Sequence, residues 1–176
     1  MARLLDKLRP YITKEEIHEH VIKLANQVES DYRGQEIVLI CPIKGSIPFA
    51  ADLCREINLP IKIDFVRVTA ASSLDNPEGI MRIQKDISVN IEGKHVLIVE
   101  EIIDTARTLS FLRDRLWAAK PASLKILTLL DKPARRAVSL KPDYFGRIVE
   151  DRFLVGYGLD EDELGRNYPD IYYLTH

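Results

Sequence analysis

The segment VLIVEEIIDTARTLS, residues 96–110, combines acids and hydroxyl groups at a spacing that could do chemistry. Four apolar residues lead into the adjacent carboxylates Glu100 and Glu101, and Asp104 follows after two further apolar residues. A carboxylate at the end of a buried strand is costly unless a cation or a hydrogen-bond donor meets it. We therefore expect these acids to meet a ligand.

The residues from Asp104 to Leu109 are typical of a strand–turn–helix junction. Such a junction offers free backbone N–H groups and the positive end of a helix dipole, and Thr105 and Thr108 add hydroxyl groups, so a phosphate fits it. Taken alone, the junction is explained as well by Asp104 or Thr105 capping the helix. The two preceding glutamates favour function, because paired carboxylates beside a phosphate can bind sugar hydroxyls or a divalent cation. The alternative for them is that one faces solvent.

Alternating strands and helices must position these groups, and they predict an α/β fold with a mostly parallel twisted sheet flanked by helices. A capping box, Thr13 with Glu16, begins the first helix. Residues 69–79 are rich in turn formers and predict a long surface loop. We expect a single domain, 1–176, with a small C-terminal hood from about residue 140. The predicted strands are 36–43, 61–68, 80–86 (an edge strand), 95–102 and 124–131, and the predicted helices are 13–34, 47–57 and 105–120.

The composition excludes several classes of protein. Of the 176 residues, 46% are hydrophobic and 30% charged, as in a globular domain, and the net charge of −2 argues against general nucleic-acid binding. No apolar run approaches the roughly 20 residues of a membrane span, and the first residues lack the apolar core of a secretory signal. Cys41 and Cys54 do not make a disulfide framework, so we expect reduced thiols and a cytoplasmic protein.

Three predicted strand ends carry polar segments, CPIKGS, VEEIIDTART and LLDKPARR, at the edge where such folds bind ligands. The segment 96–109 resembles the ribose-phosphate-binding signature of type I phosphoribosyltransferases, in particular the hypoxanthine-guanine branch. Three more segments are similar to that branch in the same order. IKGS (43–46) resembles its pyrophosphate loop, DKPARR with KPDYFG (131–146) its purine-side segment, and RFLVGYGLDEDELGR (152–166) the hood over the base.

This resemblance implies transfer of ribose 5-phosphate from phosphoribosyl pyrophosphate to hypoxanthine or guanine, which gives a purine mononucleotide, IMP or GMP, and pyrophosphate. It implies Asp104 as the general base and Mg²⁺ held by Glu100, Glu101 and Asp160. It also implies a homodimer or homotetramer. The substrate-binding residues that it implies are Lys44, Gly45 and Arg166 for pyrophosphate, Glu100 and Glu101 for ribose, Thr105, Ala106, Arg107 and Thr108 for the 5-phosphate, and Lys132, Phe153 and Leu154 for the purine.

The purine-side assignments have plain alternatives. The Lys132 ammonium donates hydrogen bonds only, so it would favour a 6-oxopurine over adenine, but it could also be an exposed loop lysine. Phe153 could be a core residue. Asp160 begins the run DEDE, and charge runs are usually solvated.

Three departures from the family pattern bear on activity. Glu101 replaces the usual Asp, Ala106 replaces a Gly, and Ala70–Ala71 replace a Ser-Tyr pair that covers the reaction centre. A non-glycine residue in a left-handed conformation costs roughly 1–2 kcal/mol. These changes keep two other functions open: a purine-nucleotide-binding regulator that has lost turnover, and an active enzyme that prefers xanthine.

Overall fold

The computed structural model describes residues 4–73 and 76–175, with the side chains of residues 71–79 left aside. The described residues form nine strands and three α-helices, with short 3₁₀ turns at Leu4–Lys7 and Pro133–Arg135. The helices are α1 (Lys14–Asp31), α2 (Ile47–Glu56) and α3 (Arg107–Trp117). The strands are β1 (Leu8–Ile12), β2 (Ile37–Pro42), β3 (Ile61–Ser73), β4 (Asn76–Lys85), β5 (His95–Ile103), β6 (Ser123–Asp131), β7 (Tyr144–Ile148), β8 (Leu154–Val155) and β9 (Ile171–Leu174).

Six strands form one sheet in the order β4-β3-β2-β5-β6-β7. All neighbours in it are parallel except β4, which pairs antiparallel with β3 at the edge. The predicted α/β fold and its edge strand are confirmed. Helices cover both faces: Leu39 and Leu97 pack in the core beneath α1 and α2, whereas Ile40 and Ile98 pack beneath α3. Burial on both faces explains why the central strands are continuous apolar runs.

The predicted capping box begins α1 as expected. The Thr13 hydroxyl accepts a hydrogen bond from the Glu16 N–H at 3.2 Å, and the Glu16 carboxylate accepts one from the Thr13 N–H at 2.9 Å. The described helices include no segment with the length and hydrophobicity of a membrane span.

The predicted surface loop at 69–79 is wrong. β3 continues to Ser73 and β4 begins at Asn76, so most of this segment belongs to an antiparallel hairpin in which Ala70 faces Met81. Residues 74 and 75 lie outside the described residues. The physical reason is that an edge strand satisfies its backbone hydrogen bonds by pairing, whatever the β propensity of its side chains.

A second, antiparallel sheet has the order β1-β9-β8. It differs from the hood expected at 140–176, because β1 comes from the N-terminal end of the chain and β7 belongs to the large sheet. We call β1, β8, β9 and the turns at 156–166 the hood. The hood therefore combines residues from both ends of the chain. Leu8 pairs with Leu174, although most of the sequence lies between them.

Candidate active site

A cleft of about 300 Å³ lies at the carboxyl ends of β2 and β5, the sheet edge at which ligands bind in such folds. Arg166 of the hood also lines it. Of the predicted site residues, the cleft brings together Lys44, Gly45, Glu100, Glu101, Asp104, Thr105, Ala106, Thr108 and Arg166. Its lining does not include the other five, which are Arg107, Lys132, Phe153, Leu154 and Asp160.

Glu100 and Glu101 end the buried part of β5 and are both half-buried. Burial raises the pKa of both carboxyls, and the neighbouring charge of Glu101 raises the pKa of Glu100 further. Within the described ranges, the buried Oε2 atom of Glu101 has no hydrogen-bond partner. The pair is therefore a partly buried carboxylate site with an oxygen atom available to a ligand.

The turn after β2 lies directly against this acid pair. A Cβ atom built on Gly45 would fall 1.8 Å from Oε1 of Glu101, so a larger residue would displace the Glu101 carboxylate or the turn. On the other side, a Cβ on Gly158 would fall 1.9 Å from the Gly45 carbonyl oxygen. Gly45 is therefore held between the acid pair and the hood, with its backbone exposed to the cleft.

The segment Thr105–Thr108, which we call the phosphate turn, joins β5 to α3. Ala106 is the residue before the helix and has a left-handed backbone, with φ 65° and ψ 5°, where the family pattern has glycine. Its side chain makes no capping hydrogen bond, and the Thr105 hydroxyl accepts from the Arg107 N–H at a long 3.5 Å. Capping therefore does not account for these residues, and the junction keeps the features of an anion site.

Asp104 lies between the phosphate turn and the segment after β6. Its Oδ1 atom accepts a hydrogen bond from Nε of Arg135 at 3.2 Å, and its backbone carbonyl accepts one from Nη1 of Arg136 at 2.6 Å. The predicted base therefore accepts one hydrogen bond from each of two adjacent arginines. Sequence reasoning assigned neither arginine a role, although the basic cluster KPARR was the signal.

The purine-side residues of the prediction cluster beside one another at the start of the hood. Lys132 is only 6% exposed, and its ammonium donates to the Arg152 carbonyl at 2.8 Å, so it is not an ordinary surface lysine. Phe153, one residue on, is 49% exposed and is not part of the core. Leu154 is buried. The Lys132 ammonium is thus bonded to the backbone directly before Phe153, although the two residues lie far apart in the sequence.

The cations predicted for pyrophosphate are paired with acids of the hood. Lys44 Nζ lies 2.7 Å from Oε2 of Glu163, and Arg166 Nη2 lies 2.8 Å from Oδ1 of Asp160. Glu163 also lies 3.5 Å from Arg166, and the Lys44 ammonium is the main cause that lowers the pKa of its carboxyl. Glu163 was not identified as a site residue from the sequence, because it is one of four acids in the run DEDE.

A tight turn places the Glu163 carboxylate between the two cations. Glu161 and Leu164 exchange both backbone hydrogen bonds at 3.0 Å, and the two residues between them are left-handed, with φ 50° at Asp162 and φ 65° at Glu163. Two consecutive non-glycine residues with positive φ are unusual and cost conformational energy. This strained turn holds the Glu163 carboxylate at the place where pyrophosphate, also an anion, is expected to bind.

A magnesium ion fits the acid pair only as a shared site. Among residues 4–73 and 76–175, no group of three or more His, Cys, Asp and Glu side chains is arranged to hold a metal ion. The unpaired, buried oxygen of Glu101 beside Glu100 suits a hard cation that takes its remaining ligands from a substrate and water. The Asp160 carboxylate is already engaged by Arg166 and by the Glu163 N–H, so a metal ion there would share it with these two groups.

Comparison with known proteins agrees with this arrangement. The phosphoribosyl transferase domain family matches residues 13–162. The hypoxanthine-guanine phosphoribosyltransferase of Streptococcus pneumoniae strain R6 is 42% identical over 160 residues, which cover 91% of this chain and 89% of that one. That of Aquifex aeolicus is 40% identical over 167 residues, 94% of each chain.

Solved structures are similar over almost the whole chain. A hypoxanthine-guanine phosphoribosyltransferase from Bacillus anthracis, with HEPES in its active site, has a TM-score of 0.89 and 44% identity, and covers 96% of this chain and 97% of its own. A hypoxanthine phosphoribosyltransferase from Staphylococcus aureus has a TM-score of 0.93 and 38% identity, with 99% and 96% covered.

Replacing Glu101 by Gln should stabilise the ligand-free protein. Because the folded-state pKa of this acid lies above its unfolded value, its ionisation opposes folding: the penalty is absent below about pH 4, grows as pH rises through the raised pKa, and is full above it. We expect Glu101→Gln to add roughly 1–2 kcal/mol at pH 8, or about 2–4 °C in Tm per kcal/mol, and little at pH 4.

Thermal unfolding at a series of pH values measures this effect. Glu19→Gln, on the exposed face of α1, is the matched control because it removes the same charge from the surface. A Tm gain that is equal in both variants, or equal at pH 4 and pH 8, would contradict the assignment of a buried charge penalty.

Proposed function

Because this chain belongs to the hypoxanthine-guanine branch of the phosphoribosyltransferase family, we propose that it transfers ribose 5-phosphate from phosphoribosyl pyrophosphate to hypoxanthine or guanine, a purine-salvage reaction. The observation that carries the proposal is the convergence, on one cleft, of a phosphate turn, an acid pair and two cations. We also expect a cytoplasmic homodimer or homotetramer without a nucleic-acid partner.

The ribose phosphate binds along the end of β5. The 5-phosphate is bound at the positive end of α3 by the backbone N–H groups of Thr105, Ala106, Arg107 and Thr108 and by the hydroxyl groups of the two threonines. Glu100 and Glu101 accept hydrogen bonds from the ribose hydroxyls. The positive end of the helix dipole attracts the phosphate. The ribose is therefore held by its 5-phosphate, away from the reacting C1 atom.

The purine binds between the phosphate turn and the hood. Phe153 stacks on the ring, the backbone of Leu154 meets its edge, and the Lys132 ammonium donates to the 6-oxo group. Lys132 already donates to the Arg152 carbonyl, and its remaining donors are available for this bond. Asp104 takes a proton from the purine ring as a ring nitrogen forms its bond to the ribose C1 atom.

Pyrophosphate leaves as the C1–oxygen bond breaks, and its negative charge must be neutralised. The backbone of Lys44 and Gly45, together with the Arg166 guanidinium, binds it at the hood side of the cleft. When bound, Mg²⁺ supplies further charge neutralisation there, held by Glu100 and Glu101 on the protein side, with Asp160 as a further ligand near Arg166. These residues have to exchange their present hydrogen bonds and ion pairs for the ligand.

A steady-state assay with phosphoribosyl pyrophosphate and Mg²⁺ tests the proposal, with hypoxanthine, guanine, xanthine and adenine as separate acceptors. We expect turnover with hypoxanthine or guanine and none with adenine, because a lysine donor cannot accept from a 6-amino group. Turnover with xanthine alone would assign another base preference. Nucleotide binding without turnover on any base would instead identify a regulator.

Replacing Asp104 by Asn should remove the base and keep its shape. We expect kcat to fall by about 10²–10⁴-fold, because general-base catalysis contributes that much, while the affinity for IMP changes by less than about threefold. Stopped assays and equilibrium binding measure the two quantities. Asp114→Asn, an exposed residue of α3, is the control. An unchanged kcat would exclude Asp104 from the role.

Replacing Glu163 by Gln should strengthen pyrophosphate binding. The Glu163 carboxylate is paired with Lys44 and lies near Arg166, so its removal leaves both cations for the ligand. Because Glu163 is exposed, we expect the affinity for pyrophosphate to rise only about two- to fivefold. Titration calorimetry with Mg²⁺-pyrophosphate measures it. The matched control is Asp162→Asn in the same turn, which removes the same charge from its neighbour. An equal gain in the control would indicate bulk charge alone, and a loss in Glu163→Gln would show that the acid positions the cations.

A further inference from the structure

Arg136 lies in the segment 132–138 that follows β6, which we call the bracing loop. Its side chain is largely buried and ion-pairs with the equally buried Asp131. Nη1 donates to the carbonyls of Ile103 at 2.7 Å and Asp104 at 2.6 Å, and Nε donates to the Leu140 carbonyl at 3.1 Å. One guanidinium therefore joins the end of β5 to the segment after β6.

Backbone bonds of the bracing loop extend this grip along the end of β5. The Lys132 N–H donates to the Ile103 carbonyl at 3.0 Å, and the Ala137 N–H donates to the Thr105 carbonyl at 3.0 Å. The carbonyls of three successive residues, 103 to 105, thus face the bracing loop. Arg136 supplies the bond to the middle one, which belongs to Asp104.

The direction of these carbonyls determines the direction of the anion-binding groups. In a planar trans peptide the C=O of one residue and the N–H of the next point in opposite directions. Carbonyls of 103–105 that face the bracing loop therefore turn the N–H groups of Asp104, Thr105 and Ala106 the other way, and all three residues line the cleft. A bond on the far side of the backbone sets which groups a phosphate meets.

We infer that Arg136 is a positioning residue: by holding the Ile103 and Asp104 carbonyls it orients the phosphate turn and the base, and it ties them to Lys132 in the same loop. Arg136 is not among the residues that line the cleft. The inference rests on the proposed function for its catalytic part, whereas its binding part concerns the phosphate turn alone.

A purely structural role would make a different prediction. A buried arginine paired with a buried aspartate contributes to folding wherever it lies, and its loss would loosen the whole cleft evenly. A positioning role affects the ribose-phosphate end and spares the pyrophosphate end, because Lys44, Gly45 and Arg166 lie on the β2 turn and the hood and make none of the bonds described above for Arg136. Pyrophosphate affinity is thus an internal reference.

Two variants test the inference. Arg136→Lys keeps the charge and loses the planar guanidinium that bonds the Ile103, Asp104 and Leu140 carbonyls at once. Because removing Arg136 alone leaves Asp131 buried without its partner, the second variant is the double change Arg136→Met with Asp131→Leu, which replaces the pair by apolar groups of similar size. Arg113→Gln, on the exposed face of α3, controls for the loss of an arginine.

We expect both variants to fold, by circular dichroism and a cooperative thermal transition. Their affinity for IMP should weaken by about tenfold and kcat should fall by about 10- to 100-fold, since small misplacements of reacting groups have effects of this size. Affinity for Mg²⁺-pyrophosphate should change by less than about twofold. Arg136→Lys should lose less than the double variant.

The outcomes separate this inference from the proposed function. Folded variants with wild-type IMP affinity and kcat, or with an equal loss of IMP and pyrophosphate affinity, overturn the positioning role. A wild-type protein that binds IMP without turnover overturns the enzymatic proposal, and the IMP and pyrophosphate titrations still decide the role of Arg136. A wild-type protein that does not bind IMP overturns both.

Discussion

The burial of two adjacent carboxyl groups at the end of β5 governs the arrangement of the cleft. Glu100 and Glu101 follow four buried residues on the central strand. Burial opposes the ionisation of both carboxyls, and the charge of Glu101 further opposes that of Glu100. Interactions of this kind persist where a ligand relieves them, because binding sites retain groups that destabilise the empty protein. A cation or a hydrogen-bond donor that meets these carboxylates would relieve this cost.

The surrounding loops approach this acid pair as closely as the backbone allows. Gly45 contacts Glu101 on one side and the hood turn at Gly158 on the other, and a Cβ atom at either glycine would overlap its neighbour. Lys44 and Arg166 are paired with Glu163 and Asp160 of the hood, and the charge of Arg166 lowers the pKa of Glu101 without outweighing the effect of burial. The ligand-free cleft therefore holds its charges in separate sets, which a substrate that carries phosphates, hydroxyls and a metal can rearrange.

The sequence predicted those parts of the molecule that depend on neighbouring residues. The capping box of α1, the apolar strands and the junction at Asp104 are local patterns, and all are present. The parts that were missed depend on distant partners. Glu163 meets Lys44 from 119 residues away, and Arg136 meets Asp104 from 32. Likewise, β3 and β4 pair through residues that the sequence had assigned to a surface loop, and β1 pairs with the C-terminal strand β9. Both pairings are made by backbone groups and need no side-chain signal.

Ala106 shows how a departure from the family pattern is accommodated. Its left-handed backbone costs roughly 1–2 kcal/mol relative to glycine. Its methyl group, however, is buried with Ile103 and Leu109 beneath α3, and burial of one such group returns about 0.8 kcal/mol. Alanine also restricts the unfolded chain more than glycine does. These two effects offset part of the cost of the left-handed backbone. Arg136 restrains the same turn from behind, so the two residues act together to keep its N–H groups directed at the cleft.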